Sequence, residues 1–171
     1  MLDFFKGNKH KKMNKNFFTT KYMVQASIIA ALYIVLTLIN PMSWGPIQCR
    51  ISEALTVLPI FFPQAIPGLF VGCIISNMIG GFGMVDIVVG SLTTLIAAIL
   101  TYKFRKNRFV AMLFPVVLNG IAIGLMLHII IPDTPLLYTM FTVAAGEALA
   151  VYPLGYLLIK TLEKTNLLNK I

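Results

Sequence analysis

Negative charge is scarce in this sequence. Asp and Glu number 6 among 171 residues against 14 Lys and Arg, and charged residues together make up 12% of the chain. A soluble domain carries about 25% charged and roughly 45–50% apolar residues. A chain that is 58% hydrophobic is therefore not a water-soluble globule. Cysteine is nearly absent as well: Cys49 and Cys73 fit no metal-binding or redox spacing, which excludes a disulfide framework and a thiolate metal site. The motifs G-x-x-x-x-G-K-[ST], H-E-x-x-H and G-x-S-x-G do not occur, so there is no phosphate loop for ATP, no zinc-peptidase helix and no nucleophile elbow. Neither an enzyme, a resident cofactor nor a metal centre is expected.

What is present is apolar length. A bilayer core takes about 20 apolar residues per helix, and the 138 residues 22–159 offer six short-looped spans. Residues 22–39 form an 18-residue apolar run that Asn40-Pro41 stops, because the residue before proline is disfavoured in a helix. No small-residue cleavage site follows, so the run reads as a retained span rather than a signal peptide. Residues 84–102, 109–131 and 136–159 supply three more spans. Residues 53–82 are also apolar, but Pro59, Pro63 and Pro67 break them into one kinked helix or two helices with a turn.

Charge placement chooses between these. Thirteen of the 14 cations fall into three clusters: Lys6 to Lys21 before the first run, Lys103, Arg105, Lys106 and Arg108 in the middle, and Lys160, Lys164 and Lys170 near the end. Clusters at span ends mark the cytoplasmic side of a membrane rather than a nucleic-acid surface. With the N-terminus and the central cluster both cytoplasmic, an even number of spans must separate them, so residues 53–82 supply two crossings or none; thirty residues this apolar are hard to keep out of lipid, which selects two, about 53–62 and 64–80. The expectation is an all-α membrane protein with six transmembrane helices and both termini cytoplasmic. It divides into a basic segment 1–21, a six-helix transmembrane domain 22–160 and a tail 161–171. Phe4, Phe5, Phe17 and Phe18 among the first lysines suit either an interfacial stretch at an anionic leaflet or a solvated tail.

A charge at the centre of a span costs about 2.5–3.5 kcal/mol on insertion scales and marks function by default. In this topology Arg50 and Glu53 begin the second span at its outer end, Asp86 begins the fourth there, and His128 lies near the outer end of the fifth. Glu147 is the deepest carboxylate, roughly 16 Å into the sixth span at a 1.5 Å rise per residue. All converge on the outer half of the bundle, the pattern of an outward-facing pocket. Helical phase puts Asp86, Gly90, Thr93 and Ala97 on one face, and Glu147 on a face with Met140, Val143, Ala144 and Val151, beside Gly146. Asn119 and His128 lie on opposite sides of their helix, and depth favours His128. Blander roles stand beside these: Arg50 and Glu53 as a local ion pair, Asp86 as a charge suited to a helix N-terminus, His128 as an interfacial residue. Trp44 reads equally as an interfacial anchor or as a lid that stacks on a ring.

The stretch 48–59, QCRISEALTVLP, the run 86–92, DIVVGSL, and Gly146-Glu147-Ala148 resemble the QueT family. These are six-helix substrate-binding S components of energy-coupling factor (ECF) transporters in prokaryotic plasma membranes. The resemblance, over about residues 25–158, implies capture of a queuosine precursor from outside, in partnership with a separate transmembrane coupling subunit and two ATPase subunits. The missing phosphate loop fits that division of labour. It also implies that Ala26 and Ala30, matching an A-x-x-x-A pattern, dock on the coupling subunit; packing inside the chain is the other use of such a pair.

A guanine-like ring presents parallel N–H donors that one carboxylate can accept, each charge-assisted bond contributing about 1.5–3 kcal/mol. A cationic aminomethyl substituent favours a second carboxylate. Glu53, Asp86 and Glu147 against Arg50 alone suit a cationic or donor-rich ring better than an anionic vitamin. Glu147 and Asp86 are expected to divide these tasks while Trp44 covers the ring. The alternatives are an S component for a thiamine- or riboflavin-like vitamin, or a self-sufficient proton-coupled carrier.

Overall fold

A computed structural model of the chain describes residues 19–44, 48–80, 82–131 and 133–165. The expectations for Phe4, Phe5, Phe17, Phe18 and the last tail residues lie outside the described residues. Helix boundaries follow the local chemistry. Thr19 caps the first helix, α1 (Thr20–Leu38), its side chain accepting from the Tyr22 amide. The prolines of residues 53–82 resolve into two segments rather than one kinked helix. Ile51–Ile60 is a 3₁₀ helix, Pro63 sits in the turn after it, and α2 (Ala65–Ile79) begins with Pro67 in its first turn, where an amide donor is not needed. Gly83, at φ 76°, turns the chain into α3 (Gly83–Lys103), a backbone angle that glycine adopts without steric cost.

Asn107 caps α4 (Arg108–Ile130) by accepting from the Val110 amide. The last helix runs continuously from Leu136 to Lys164 but changes winding on the way: α5 (Leu136–Leu149), a π-helical stretch Ala150–Gly155, then α6 (Tyr156–Lys164). Pro153 explains the widening. It has no N–H to offer and its ring crowds the carbonyl one turn back, so the helix opens locally.

Among the described residues, four helices are long and apolar enough to cross a membrane: Thr20–Leu38, Gly83–Lys103, Arg108–Ile130 and Leu136–Lys164. Ile51–Ile60 and Ala65–Ile79 are shorter apolar helices. The faces of the long helices are inverted relative to a soluble protein. On α4, Phe109, Leu113, Val117, Ile121, Leu125 and Ile129 recur every four residues and are all exposed, a stripe suited to lipid. On α3, Met84, Val88, Leu92 and Ile96 do the same, while Asp86, Gly90, Thr93 and Ala97 are buried together on the opposite side, as their phase requires.

Consecutive helices α1 to α5 pack in sequence, and the 3₁₀ helix lies at the centre, touching α1, α2, α3, α4, α6 and the π stretch. Every residue from Ser52 to Ile60 is buried. Two apolar clusters flank it, one built on Ile29, Tyr33, Leu69 and Cys73, the other on Met112, Val116, Val151 and Ile159. A third cluster, of Ile123, Met126, Leu127 and Val143, joins α4 to α5. The polar site lies between these clusters.

Candidate ligand-binding site

The segment linking α1 to the 3₁₀ helix folds back onto the bundle and carries Arg50 inward. Asn40 Nδ2 donates to the Cys49 carbonyl at 2.6 Å, and the Cys49 amide donates to Met42 O at 3.1 Å. Thr37 Oγ1 donates to Ser52 Oγ at 2.7 Å, and Ser43 Oγ to Thr37 O at 2.8 Å. Glycines let this segment seat closely. A Cβ at Gly146 would lie 2.0 Å from the Gln48 carbonyl oxygen, and one at Gly80 would lie 1.8 Å from Trp44 Nε1. Gly146 thus admits the backbone of residues 48–49 rather than another helix. Burial pushes the Cys49 thiol pKa up, with Glu147 adding to the effect, so this thiol is no ready nucleophile.

Arg50 is 6% exposed, and its guanidinium is shared among three elements. Nε donates to Ser43 O at 3.1 Å, Nη1 to Asn77 Oδ1 at 3.3 Å, and Nη2 lies 3.9 Å from Asp86 Oδ1. Asn77 Nδ2 in turn donates to the Asp86 carbonyl at 3.1 Å, in space that Gly90 leaves open. The local Arg50–Glu53 pair is not formed. Glu53 instead accepts from Tyr33 Oη on α1, and Arg50 is paired with Asp86, 36 positions along the chain, because the extended Arg50 backbone sends the two side chains apart.

Glu147 meets Asn119 across α4 and α5, the amide donating to Oε1. The helical phase of α4 decides the contest between Asn119 and His128. Met112, Val116, Asn119 and Ile123 share the buried face, and His128 is turned away, its Nδ1 2.6 Å from the Thr134 carbonyl oxygen in the α4–α5 connection. Asn119, which depth ranks below His128, belongs to the site, and so do Tyr33, Asn77 and Gln48, which neither depth nor charge singles out. A mid-span polar residue in phase with apolar ones was a usable signal for Asn119; the others become visible only once the helices are placed.

Gln48, Arg50, Asn119, Ile123, Val143 and Glu147 line a cavity of about 10 Å³, room for roughly one water. Glu53 and Asp86 are buried close by, at 2% and 0% exposure. Among the described residues, Gln48 Nε2, Arg50 Nη2, Glu53 Oε2, both Asp86 oxygens and Glu147 Oε2 are buried without a hydrogen-bond partner, as is Trp44 Nε1. Each such group costs about 1–3 kcal/mol, more if charged, so a cluster of them is an unusual thing to maintain for stability alone. No group of three metal-ligating side chains occurs among the described residues. On the outside of the bundle, Ala26, Ser27, Ala30 and Ala31 line an open apolar groove of about 470 Å³ between α1 and α2. Its floor is close-packed: a Cβ at Gly68 would lie 2.6 Å from Ala26 O, and one at Gly72 would lie 3.1 Å from Ala30 O.

The model of one family, described as QueT transporter, matches residues 23–164. The chain is also 31% identical over 163 residues to the queuosine precursor transporter QueT of Lactococcus lactis subsp. cremoris, an alignment covering 85% of this chain and 94% of that protein. No solved structure matches it.

Proposed function

Since the chain belongs to the QueT transporter family and is a multi-pass membrane protein of a prokaryote, we propose that it is the substrate-capturing subunit of an ECF-type importer. Its ligand is a 7-deazaguanine precursor of queuosine, such as 7-aminomethyl-7-deazaguanine or queuine, taken from the outer face. A separate transmembrane coupling subunit and two ATPase subunits complete the transporter. In this reading the 3₁₀ helix and α2 serve with the four long helices as a six-segment bundle whose termini are cytoplasmic.

One observation carries the ligand class. Three buried carboxylates, Glu53, Asp86 and Glu147, surround one buried cation, Arg50, and four of their oxygens have no hydrogen bond among the described residues. A donor-rich ring with a cationic arm supplies what that cluster lacks, whereas an anionic vitamin would add a further unpaired charge. Glu147 and Asp86 receive the ring edge and the ammonium group, Asp86 only once the bundle has opened, since it stands behind Arg50 outside the closed cavity; Arg50 and Glu53 complete the polar wall, and Trp44 covers the ring. His128 contributes at the rim by fastening the α4–α5 connection. The cavity admits about one water, so the bundle opens around the ligand on binding. Ala26 and Ala30, with the groove beside them, form the face for the coupling subunit, where close approach of small residues drives helix association in lipid.

The experiment is a thermal-shift and calorimetric screen of the purified protein in detergent or nanodiscs. 7-Aminomethyl-7-deazaguanine is expected to raise the melting temperature, while thiamine, riboflavin and biotin leave it unchanged. Glu147→Gln or Asp86→Asn should weaken binding tenfold or more, on the scale of one charge-assisted hydrogen bond lost. Stabilisation by a different vitamin, or unchanged affinity in both variants, would refute the assignment. Uptake that proceeds without ATPase partners and collapses with the proton gradient would replace it by a self-sufficient carrier.

A further inference from the structure

The cavity wall has a fixed polarity. Arg50 carries only donors, and Glu147, in the ionised form that a ring N–H selects, carries only acceptors; neither then reverses its role by rotating. Both line the same cavity, both are more than nine-tenths buried, and Arg50 Nη2 and Glu147 Oε2 are without hydrogen-bond partners among the described residues. Asn119 holds the other Glu147 oxygen from α4, which fixes the carboxylate in place. Gln48, whose Nε2 is also unpartnered among the described residues, lines the same cavity as the adaptable member, with its backbone seated against Gly146. Asp86 does not line this cavity and stands behind Arg50.

We propose that Arg50 and Glu147 together read a lactam edge, an N–H beside a C=O, with Glu147 accepting from the ring N–H and Arg50, aided by Gln48, donating to the carbonyl oxygen. This rests on the family-based reading of a deazaguanine ligand and adds to it the atoms by which the ring is chosen. An amidine edge, in which the carbonyl is replaced by an amino group and the neighbouring ring nitrogen loses its hydrogen, has the reverse polarity. Against it Arg50 faces a donor and Glu147 an acceptor. A site built on buried hydrogen-bonding groups rejects such a partner strongly, because its own groups are left unpaired.

The test is a ratio of affinities for two rings that differ only at this edge, 7-aminomethyl-7-deazaguanine and its 6-amino counterpart 7-aminomethyl-2,6-diamino-7-deazapurine. Calorimetry on the wild-type chain in nanodiscs is expected to favour the first by about a hundredfold or more. Glu147→Gln replaces an acceptor-only group by an amide that can present either polarity, and should bring the ratio to within about tenfold. If Glu147→Gln binds neither ring, Gln48→Glu supplies the measurement: a second acceptor-only group on the wall should shift the ratio at least about tenfold towards the 6-amino ring. A wild-type ratio near one overturns the inference, as does a ratio that the deciding variant leaves unchanged. Stabilisation of the wild type by neither ring would instead remove the ligand class itself.

Discussion

Arg50 Nη2 stands 3.9 Å from Asp86 Oδ1, while the same guanidinium donates from Nε to the Ser43 carbonyl at 3.1 Å. The cation is therefore held in place by backbone and amide oxygens, and its ionic partner is close enough to attract it without sharing a hydrogen bond. Both residues are buried, so the attraction acts with little solvent screening. An arrangement that fixes the charge through neutral groups leaves the carboxylate free for other partners.

That asymmetry predicts unequal costs. Arg50→Met strips three buried carboxylates of their cation and should lower stability by about 3–5 kcal/mol, the range for breaking a buried ion pair. Asp86→Asn removes a group with no hydrogen bond of its own and should cost less, about 1–2 kcal/mol. Tyr33→Phe, which leaves both Glu53 oxygens unpartnered, should fall between them. Unfolding in detergent, followed by tryptophan fluorescence or heat, measures all three. Equal losses for Arg50→Met and Asp86→Asn would contradict the geometry.

Gly146→Ala should disturb the site more than its size implies. The added methyl would meet the Gln48 carbonyl at 2.0 Å, so the backbone of residues 48–49 must lift and carry Arg50 with it. Ligand affinity is expected to drop tenfold or more, with a stability loss of about 1–3 kcal/mol from overpacking. Gly83→Ala is the comparison: among the described residues, nothing beyond its own stretch of backbone lies within 4 Å of a Cβ placed there, and the positive φ of 76° is what opposes it. It should cost about 1–2 kcal/mol and leave affinity unchanged.

The proposed docking groove between α1 and α2 offers a way to test docking apart from capture. Ala31 is exposed and lines it, so Ala31→Leu should leave ligand binding intact while reducing co-purification with the coupling subunit and cellular uptake. Gly72→Leu should lose both, because its Cβ would lie 3.0 Å from that of Tyr33, whose hydroxyl holds Glu53. Normal uptake by Ala31→Leu would mean that the groove is not the contact face.

Periodicity and charge made much of this legible in the sequence. The long helices and the buried face of Asp86, Gly90, Thr93 and Ala97 follow from spacing, and the division of residues 53–82 into two segments from charge placement, though the first segment ends at Ile60, two residues before the expected bound. Pairing between elements does not. Arg50 and Glu53 are three residues apart, a spacing that brings side chains together on an α-helix, yet Arg50 lies just outside a helix of a different winding and turns to α3 instead. Asn119 was outweighed by His128 on depth, because which side of α4 faces α5 is set by neighbours 20 or more residues away.

The 3₁₀ winding of Ile51–Ile60 has a further consequence. At about three residues per turn, side chains three apart stand in register, so the segment is a three-edged prism rather than a cylinder with a drifting stripe. Leu55 and Leu58 form one edge, set into the Tyr33 and Leu69 cluster; Val57 and Ile60 form a second, set into the cluster of Met112 and Val151; Glu53 begins the third. Inserting or deleting a single residue would turn everything beyond it by about 120° and exchange whole edges; placed before Glu53, the change would press its carboxylate into oil. Such a segment tolerates exchanges along an edge far better than any change in its length.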